Sequence, residues 1–274
     1  MKCNFCLNSK YSKKITKYSA LQKRDIEYLI CDKCLSINQS PLPTDKLINE
    51  YYNSYIDIKK EMNPGYLEEN NINNLFIERD KTFKEIGFQK KWFNNKTNVE
   101  YGCANGHFLL YLKKNGASNI IGIDISKTLI KSIKIDNVTL INGDLSALNN
   151  RSIDNLFMFN VLEHFQDVRR VFDTAARKLK NDAKIVIEVP ISGIISKAFS
   201  ENWRFLMPDE HLHIPSIKGL KKLLNDYNFK IIGKTRFGSG FTKGAINNNI
   251  KNILDKSAKS FKFGDRACFL ITSK

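Results

Sequence analysis

Hydrophobic and polar positions divide this chain into three stretches. Residues 1 to about 40 carry no helical period. Pro41 and Pro43 then break the chain, as a linker does. Residues 45–95 are mostly polar with scattered aromatics, among them Tyr51, Tyr52, Tyr55, Tyr66, Phe76, Phe83, Trp92 and Phe93, and read as helices leading into a larger unit. From residue 97 short apolar runs alternate with amphipathic ones. Strands are expected at Thr97–Tyr101, Ile120–Ile123, Val138–Ile141, Leu156–Phe159 and Ile185–Val189. A helix starts at Phe108–Leu112, and Ser126 caps another. Val168, Val171, Phe172, Ala175, Ala176 and Leu179 fall at i, i+3, i+4, i+7 behind Asp167, a helix with its N-cap. Ile217, Leu220, Leu223, Leu224 and Tyr227 repeat the pattern behind Ser216. Lys230–Ile232 and Cys268–Ile271 read as the last two strands, with a polar helical insertion over 243–262.

Strands that alternate with helices form a mostly parallel sheet. Three units follow: an N-terminal module over 1–42, a helical connector over 43–95 and an α/β domain over 96–274. No apolar run reaches the roughly 18 residues a membrane span needs, and the N-terminus shows no signal-peptide core. A soluble cytoplasmic protein without membrane insertion is expected. Its oligomeric state is open.

Charge changes the picture only partly. The net charge of +16 can favour an anionic partner, but the lysines are spread over many segments of a Lys-, Asn- and Ile-rich chain. Solvated faces and an anionic acceptor both account for it. Cysteine says more. Cys3-x-x-Cys6 and Cys31-x-x-Cys34 supply four thiolates, the donor set of a closed tetrahedral zinc site. The spacer between the pairs is slightly longer than usual but can form a hairpin. Cys103 and Cys268 stand alone.

Candidate chemistry starts at Val99-Glu100-Tyr101-Gly102-Cys103-Ala104-Asn105-Gly106, where a strand runs through small residues into a helix. Such a turn lets backbone amides approach a ligand at a helix N-terminus. Asp124 ends the next strand, where a carboxylate can accept from ribose hydroxyls. A dinucleotide G-x-G-x-x-G pattern needs glycine where the chain has Ala104 and His107, so it fails.

Glu100, Gly102 and Gly106 instead match the E/D-x-G-x-G-x-G motif, Ala104 being the departure. Over residues 95–274 the chain resembles class I S-adenosylmethionine-dependent methyltransferases. Asn142-Gly143-Asp144-Leu145, Asp154–His164 and Asp182–Ile187 resemble the segments at that family's third, fourth and fifth strands. The resemblance implies a Rossmann-like methyltransferase sheet, mostly parallel with its last strand antiparallel. It implies S-adenosylmethionine as cofactor, held by Glu100, Gly102, Ala104, Gly106, Asp124, Ile125, Asp144, Leu145 and Asn160. The paired CxxC units, Pro41-Leu42-Pro43 and Tyr51-Tyr52-Asn53-Ser54-Tyr55 resemble bacterial methyltransferases with an N-terminal zinc ribbon, sugar C-methyltransferases among them. Those usually carry a further C-terminal domain.

Trp203–Pro215 follows the fifth strand on the side where open α/β sheets bind ligands. Within it, Glu210-His211 resembles the Glu-His pair that serves proton transfer in the sugar C-methyltransferases. Histidine titrates near neutral pH and suits a base that removes an acceptor's proton. His211 and Glu210 are therefore the catalytic candidates, with His213 behind them. His164 reads as structural. Trp203 and Phe205 suit either stacking on the acceptor or core packing. The expected reaction is methyl transfer to a polar or anionic small molecule such as a sugar or nucleotide-sugar. An RNA methyltransferase is the rival, favoured by charge and zinc ribbon, though no RNA-binding motif appears. A non-catalytic binding protein on this fold is the third reading.

Overall fold

The computed structural model describes residues 1–54, 69–241 and 245–274. Tyr55, Tyr66 and the first residues of the expected insertion at 243–262 lie outside them.

The N-terminal hairpin joins β1 (Tyr11–Ser19) and β2 (Arg24–Cys31), and β3 (Ile37–Ser40) adds an antiparallel third strand. The connector holds α1 (Asp45–Asn53), capped by Thr44, and α2 (Glu69–Ile86). The alternating region follows in order: β4 (Thr97–Tyr101), α3 (His107–Lys114), β5 (Asn119–Asp124), α4 (Lys127–Ser132), β6 (Thr139–Asn142), β7 (Ile153–Phe159), α5 (Val168–Lys178) and β8 (Leu179–Pro190). Then come α6 (Ile194–Phe199), β9 (His213–Ile214), α7 (Ile217–Asp226), β10 (Phe229–Phe237), α8 (Asn248–Ser260) and β11 (Arg266–Ser273). The expected caps act as such: Ser126, Asp167 and Ser216 each accept from a backbone amide of the first turn.

The main sheet has seven strands in the order β10-β11-β8-β7-β4-β5-β6. β4 through β8 pair parallel, and β11 lies antiparallel between β8 and β10. The last strand is thus antiparallel, as expected. Alternate residues of the central strands enter different cores, because successive side chains leave opposite faces. Leu156, Met158, Ile185 and Ile187 pack with Val171, Phe172, Leu220 and Leu224 of α5 and α7. Phe157 and Val186 pack with Phe83 and Ile86 of α2 and Phe108 and Leu112 of α3. A sheet buried on both faces explains why these strands read as apolar runs and not as alternation.

The module is not set apart from the domain. β9, two residues from the segment after β8, pairs antiparallel with β3 and becomes the fourth strand of the module's sheet. Cys3, Phe5, Cys6, Cys31 and Cys34 belong to the same core as α5 and α7. Ser192 Oγ donates to Leu35 O at 2.8 Å, and Ser36 Oγ accepts from the Ser216 amide at 3.0 Å. No helix among the described residues is long and apolar enough to cross a membrane.

Candidate active site

Strand order reverses at β4: β5 and β6 continue on one side, β7 and β8 on the other. Ligands of open α/β sheets bind at such a switch point, beyond the carboxyl ends of the strands. A cavity of about 640 Å³ lies there. Its wall is assembled from consecutive strand ends: Gly102 and Ala104 after β4, Asp124 and Ile125 at β5, Gly143 and Asp144 after β6, Asn160 and Val161 after β7. α1 contributes Asp45, Asn49 and Tyr52 from across the opening, and His164 completes the far side.

The glycine turn fits close approach. Gly102 has φ +79°, and a Cβ there would come within 2.5 Å of Val161 Cγ2. Gly106, also at φ +79°, begins α3 and packs against Ile133. Ala104 holds φ +45°, a region that favours glycine, so the motif's departure costs some strain. Asp124 is buried. Its Oδ2 accepts from the Ala104 amide at 2.9 Å and its Oδ1 from the Ser126 amide at 2.8 Å, which fixes the carboxylate at the cavity edge. Burial pushes its pKa up, against those hydrogen bonds. Asp144 accepts from the Ser146 amide at 2.7 Å, and its hydrogen bonds to Ser146 hold its pKa down. Asn160 adopts φ +50° where β7 ends.

Not every expected cofactor residue meets this cavity. Glu100 faces an adjoining hollow of about 180 Å³, with Arg79, Asn105 and His107; the two share Gly102, Ala104 and Phe159. Burial pushes the Glu100 pKa well up, and its Oε2 has no hydrogen-bond partner among the described residues. Leu145 is core and borders a third hollow. Gly106 shapes the turn from behind.

The catalytic candidates are rearranged too. His211 and Glu210 are buried and do not line the cavity. His211 Nδ1 bonds Phe205 O at 2.8 Å, and Glu210 Oε1 accepts from Tyr51 Oη at 2.8 Å. His164, read from sequence as structural, is the histidine at the cavity wall. Its Nδ1 meets Tyr52 Oη at 2.7 Å, and its ring stands edge-on to His211 with centroids 5.0 Å apart. Between them lies Glu163, fully buried, with Oε1 3.9 Å from Nε2 of each histidine. His213 is fully buried beside Asn4 and Gln166, and burial lowers its pKa to about 4. Trp203 is core: its Nε1 donates to Asp265 Oδ2 at 3.1 Å. Tyr52, His164, Glu163 and Arg79 were not picked out as site residues from the sequence. The Tyr-rich run and the Glu-His following β7 were the signal for the first three, and nothing in the sequence marked Arg79.

Away from the cavity, the four cysteines converge. Cys3 Sγ lies 3.6 Å from Cys34 Sγ and Cys6 Sγ 3.5 Å from Cys31 Sγ, with all four sulfurs mutually within 4.8 Å. Sulfurs bound at about 2.3 Å in a tetrahedron stand near such separations, so the set can hold a zinc-sized ion. Asn38 Nδ2 donates to Cys3 Sγ at 3.5 Å and Asn8 Nδ2 to Cys31 Sγ at 3.6 Å, as outer groups of a thiolate site do.

A model of the methyltransferase-domain family matches residues 76–234, more than half of the chain. The chain belongs to this family. It is an S-adenosylmethionine-dependent methyltransferase with the class I fold. No curated protein sequence matches it. Solved structures share the fold at low identity. An S-adenosylmethionine-dependent methyltransferase of Thermotoga maritima is 15% identical, with TM-score 0.58, over 83% of this chain and 100% of its own. The magnesium protoporphyrin IX methyltransferase of Synechocystis, with bound S-adenosylhomocysteine, is 13% identical, with TM-score 0.55, over 84% and 100%. A Mesorhizobium loti S-adenosylmethionine-dependent methyltransferase is 17% identical, with TM-score 0.50, over 66% and 92%.

Proposed function

We propose that this methyltransferase acts on a polar or anionic small molecule, such as a sugar or nucleotide-sugar, in the cavity beneath α1. The observation that carries the reading is the hydrogen-bonded Tyr52–His164 pair in the same cavity wall as Gly102 and Asp124. The residues there fit S-adenosylmethionine. Gly102 lets the turn pack against Val161 at the cavity wall where a Cβ would not fit, Asp124 is held where ribose hydroxyls can donate to it, and Ile125 offers an exposed apolar surface for a base. Asp144 and Asn160 supply polar groups on either side of the glycine turn. Bound there, the cofactor supplies an electrophilic methyl group on a sulfonium.

The chain's own residues then have two tasks. The first is alignment of donor and acceptor, which a cavity walled by fixed polar groups provides. The second is removal of a proton from a hydroxyl or carbon acid. The Tyr52–His164 pair suits it, imidazole titrating near neutral pH. Glu210 and His211 act from behind this pair and not on the acceptor. The four cysteines hold a structural zinc, with every sulfur used and no open position for chemistry. The enclosing α1 favours a small acceptor over RNA.

The test is transfer of radiolabelled methyl from S-adenosylmethionine to a panel of nucleotide-sugars, free sugars and total RNA. Label on a sugar, reduced about 10²- to 10⁴-fold in His164→Ala as for a lost acid–base group, supports the reading. Label on RNA alone contradicts it.

A further inference from the structure

Glu163 is a buried acid whose side chain makes two long contacts, to His164 and His211, and no hydrogen bond among the described residues. Its side chain has no solvent exposure, and both carboxyl oxygens lack a hydrogen-bond partner among the described residues. A buried polar group in that condition normally has a role. Its neighbours suggest which. Oε1 is equidistant, at 3.9 Å, from His164 Nε2 and His211 Nε2. The other nitrogen of each ring has a partner that bears on its tautomer. His211 Nδ1 lies 2.8 Å from Phe205 O, and a carbonyl only accepts, so Nδ1 carries the hydrogen. Neutral His211 therefore carries no hydrogen on Nε2, the nitrogen nearer Glu163. His164 Nδ1 lies 2.7 Å from Tyr52 Oη, the one hydroxyl of the group on the cavity wall. With Tyr52 donating, His164 carries its hydrogen on Nε2, also towards Glu163.

We infer that Tyr52, His164, Glu163 and His211 form a one-directional proton-transfer chain running from the cavity wall into the protein, with Glu163 as the link between the two imidazoles. It rests on the proposed reaction for its purpose, and on these four side chains for its existence. The proton balance closes. Tyr52 Oη receives the acceptor's proton as its own passes to His164 Nδ1. The hydrogen on His164 Nε2 passes to the Glu163 carboxyl, and the proton Glu163 held passes to His211 Nε2. One proton leaves the acceptor, and His211 becomes an imidazolium still bonded to Phe205 O. No co-reactant is consumed.

Two features make Glu163 suited to the link. A carboxyl that is protonated at rest can hand its proton to one imidazole and take another from the second, and Oε1 is the oxygen that faces both. Burial pushes the Glu163 pKa up to about 8, with Glu188 and Glu210 adding to the rise and Arg266 opposing it. The 3.9 Å gaps exceed a hydrogen bond and must close to about 2.7–2.9 Å for transfer.

The test needs no acceptor. Long-range ¹H–¹⁵N spectra of the full zinc-loaded chain resolve its four histidines. His164→Gln and His211→Gln assign the two of interest. The chain requires His164 with hydrogen on Nε2 and His211 with hydrogen on Nδ1 at pH 7. It also requires that their titration curves each show a step shared with the Glu163 carboxyl ¹³C signal. Glu163→Gln, which keeps the shape but cannot pass a proton, should remove the shared step. Tyr52→Phe should loosen the His164 tautomer alone. The opposite tautomer at either ring overturns the inference. So do curves that Glu163→Gln leaves unchanged, and so does zinc beyond one equivalent shifting both rings, which would make the cluster a metal site. Should Glu163→Gln fail to fold, the wild-type tautomers and shared step still decide. Absent S-adenosylmethionine binding by wild type would sink the proposed function while leaving this result standing.

Discussion

Gly102 carries two constraints at one atom: a positive φ and no room for a methyl group beside Val161. Gly102→Ala is expected to cost about 2–4 kcal/mol, combining left-handed strain with overpacking. Chemical denaturation of the variant checks this, and unchanged stability would refute the close approach. Glu163 makes a second prediction at this scale, through pH. Its carboxyl is raised from an ordinary 4.5 to about 8 in the fold. The unfolded chain ionises first as pH rises, so the protonated group's contribution is full below about pH 4.5 and is lost as pH rises towards 8. Glu163→Gln should flatten that part of the stability profile, measured by urea unfolding at several pH values. A slope identical to wild type would place the charge change elsewhere. Some of this was legible in sequence. Gly102, Ala104, Asp124, Ile125, Asp144 and Asn160 were all picked out, and all line the cavity. Strand ends place such residues by local chain direction alone. His164 and His211 each follow a glutamate, and spacing cannot tell which ring reaches the wall. The turn after β7 and the seating of α1 decide that.

Among the elements, α7 shows how a helix can be tied to a distant hairpin. Gly219 lies on its buried face against Phe5, Cys34 and Ser36, and a Cβ would overlap Ser36 Oγ. Ser216, its N-cap, also donates to Cys34 O. In an exposed helix, Gly→Ala stabilises by about 1 kcal/mol. Here the sign reverses: Gly219→Ala should destabilise by about 1–3 kcal/mol through overpacking. Thermal unfolding reads it as a drop of about 2–4 °C for each kcal/mol. A raised Tm would mean that helix and module part freely. The amphipathic pattern of α7 was plain in sequence, as was that of α5. β9 was not, because its two-residue pairing with β3 joins Ile37 to Ile214 across most of the chain and has no local signature.

At the scale of the whole molecule, module and domain share one sheet and one core, so they should unfold together. Removing the proposed zinc with a chelator under reducing conditions should lower the Tm of a single transition, since binding at such a site is folding free energy. Two separate transitions in calorimetry would make the module independent after all. The same continuity places α1, which leads out of the module's last linker, over the cavity that the strand ends build. The account's central claim is that this cavity holds S-adenosylmethionine through Asp124. Isothermal titration of S-adenosylmethionine into wild type and Asp124→Ala tests it most directly. The account predicts measurable binding by wild type and a loss of about 1.5–3 kcal/mol in the variant, the cost of unmade hydrogen bonds to a buried ligand. Equal affinities, with both proteins folded, would contradict it.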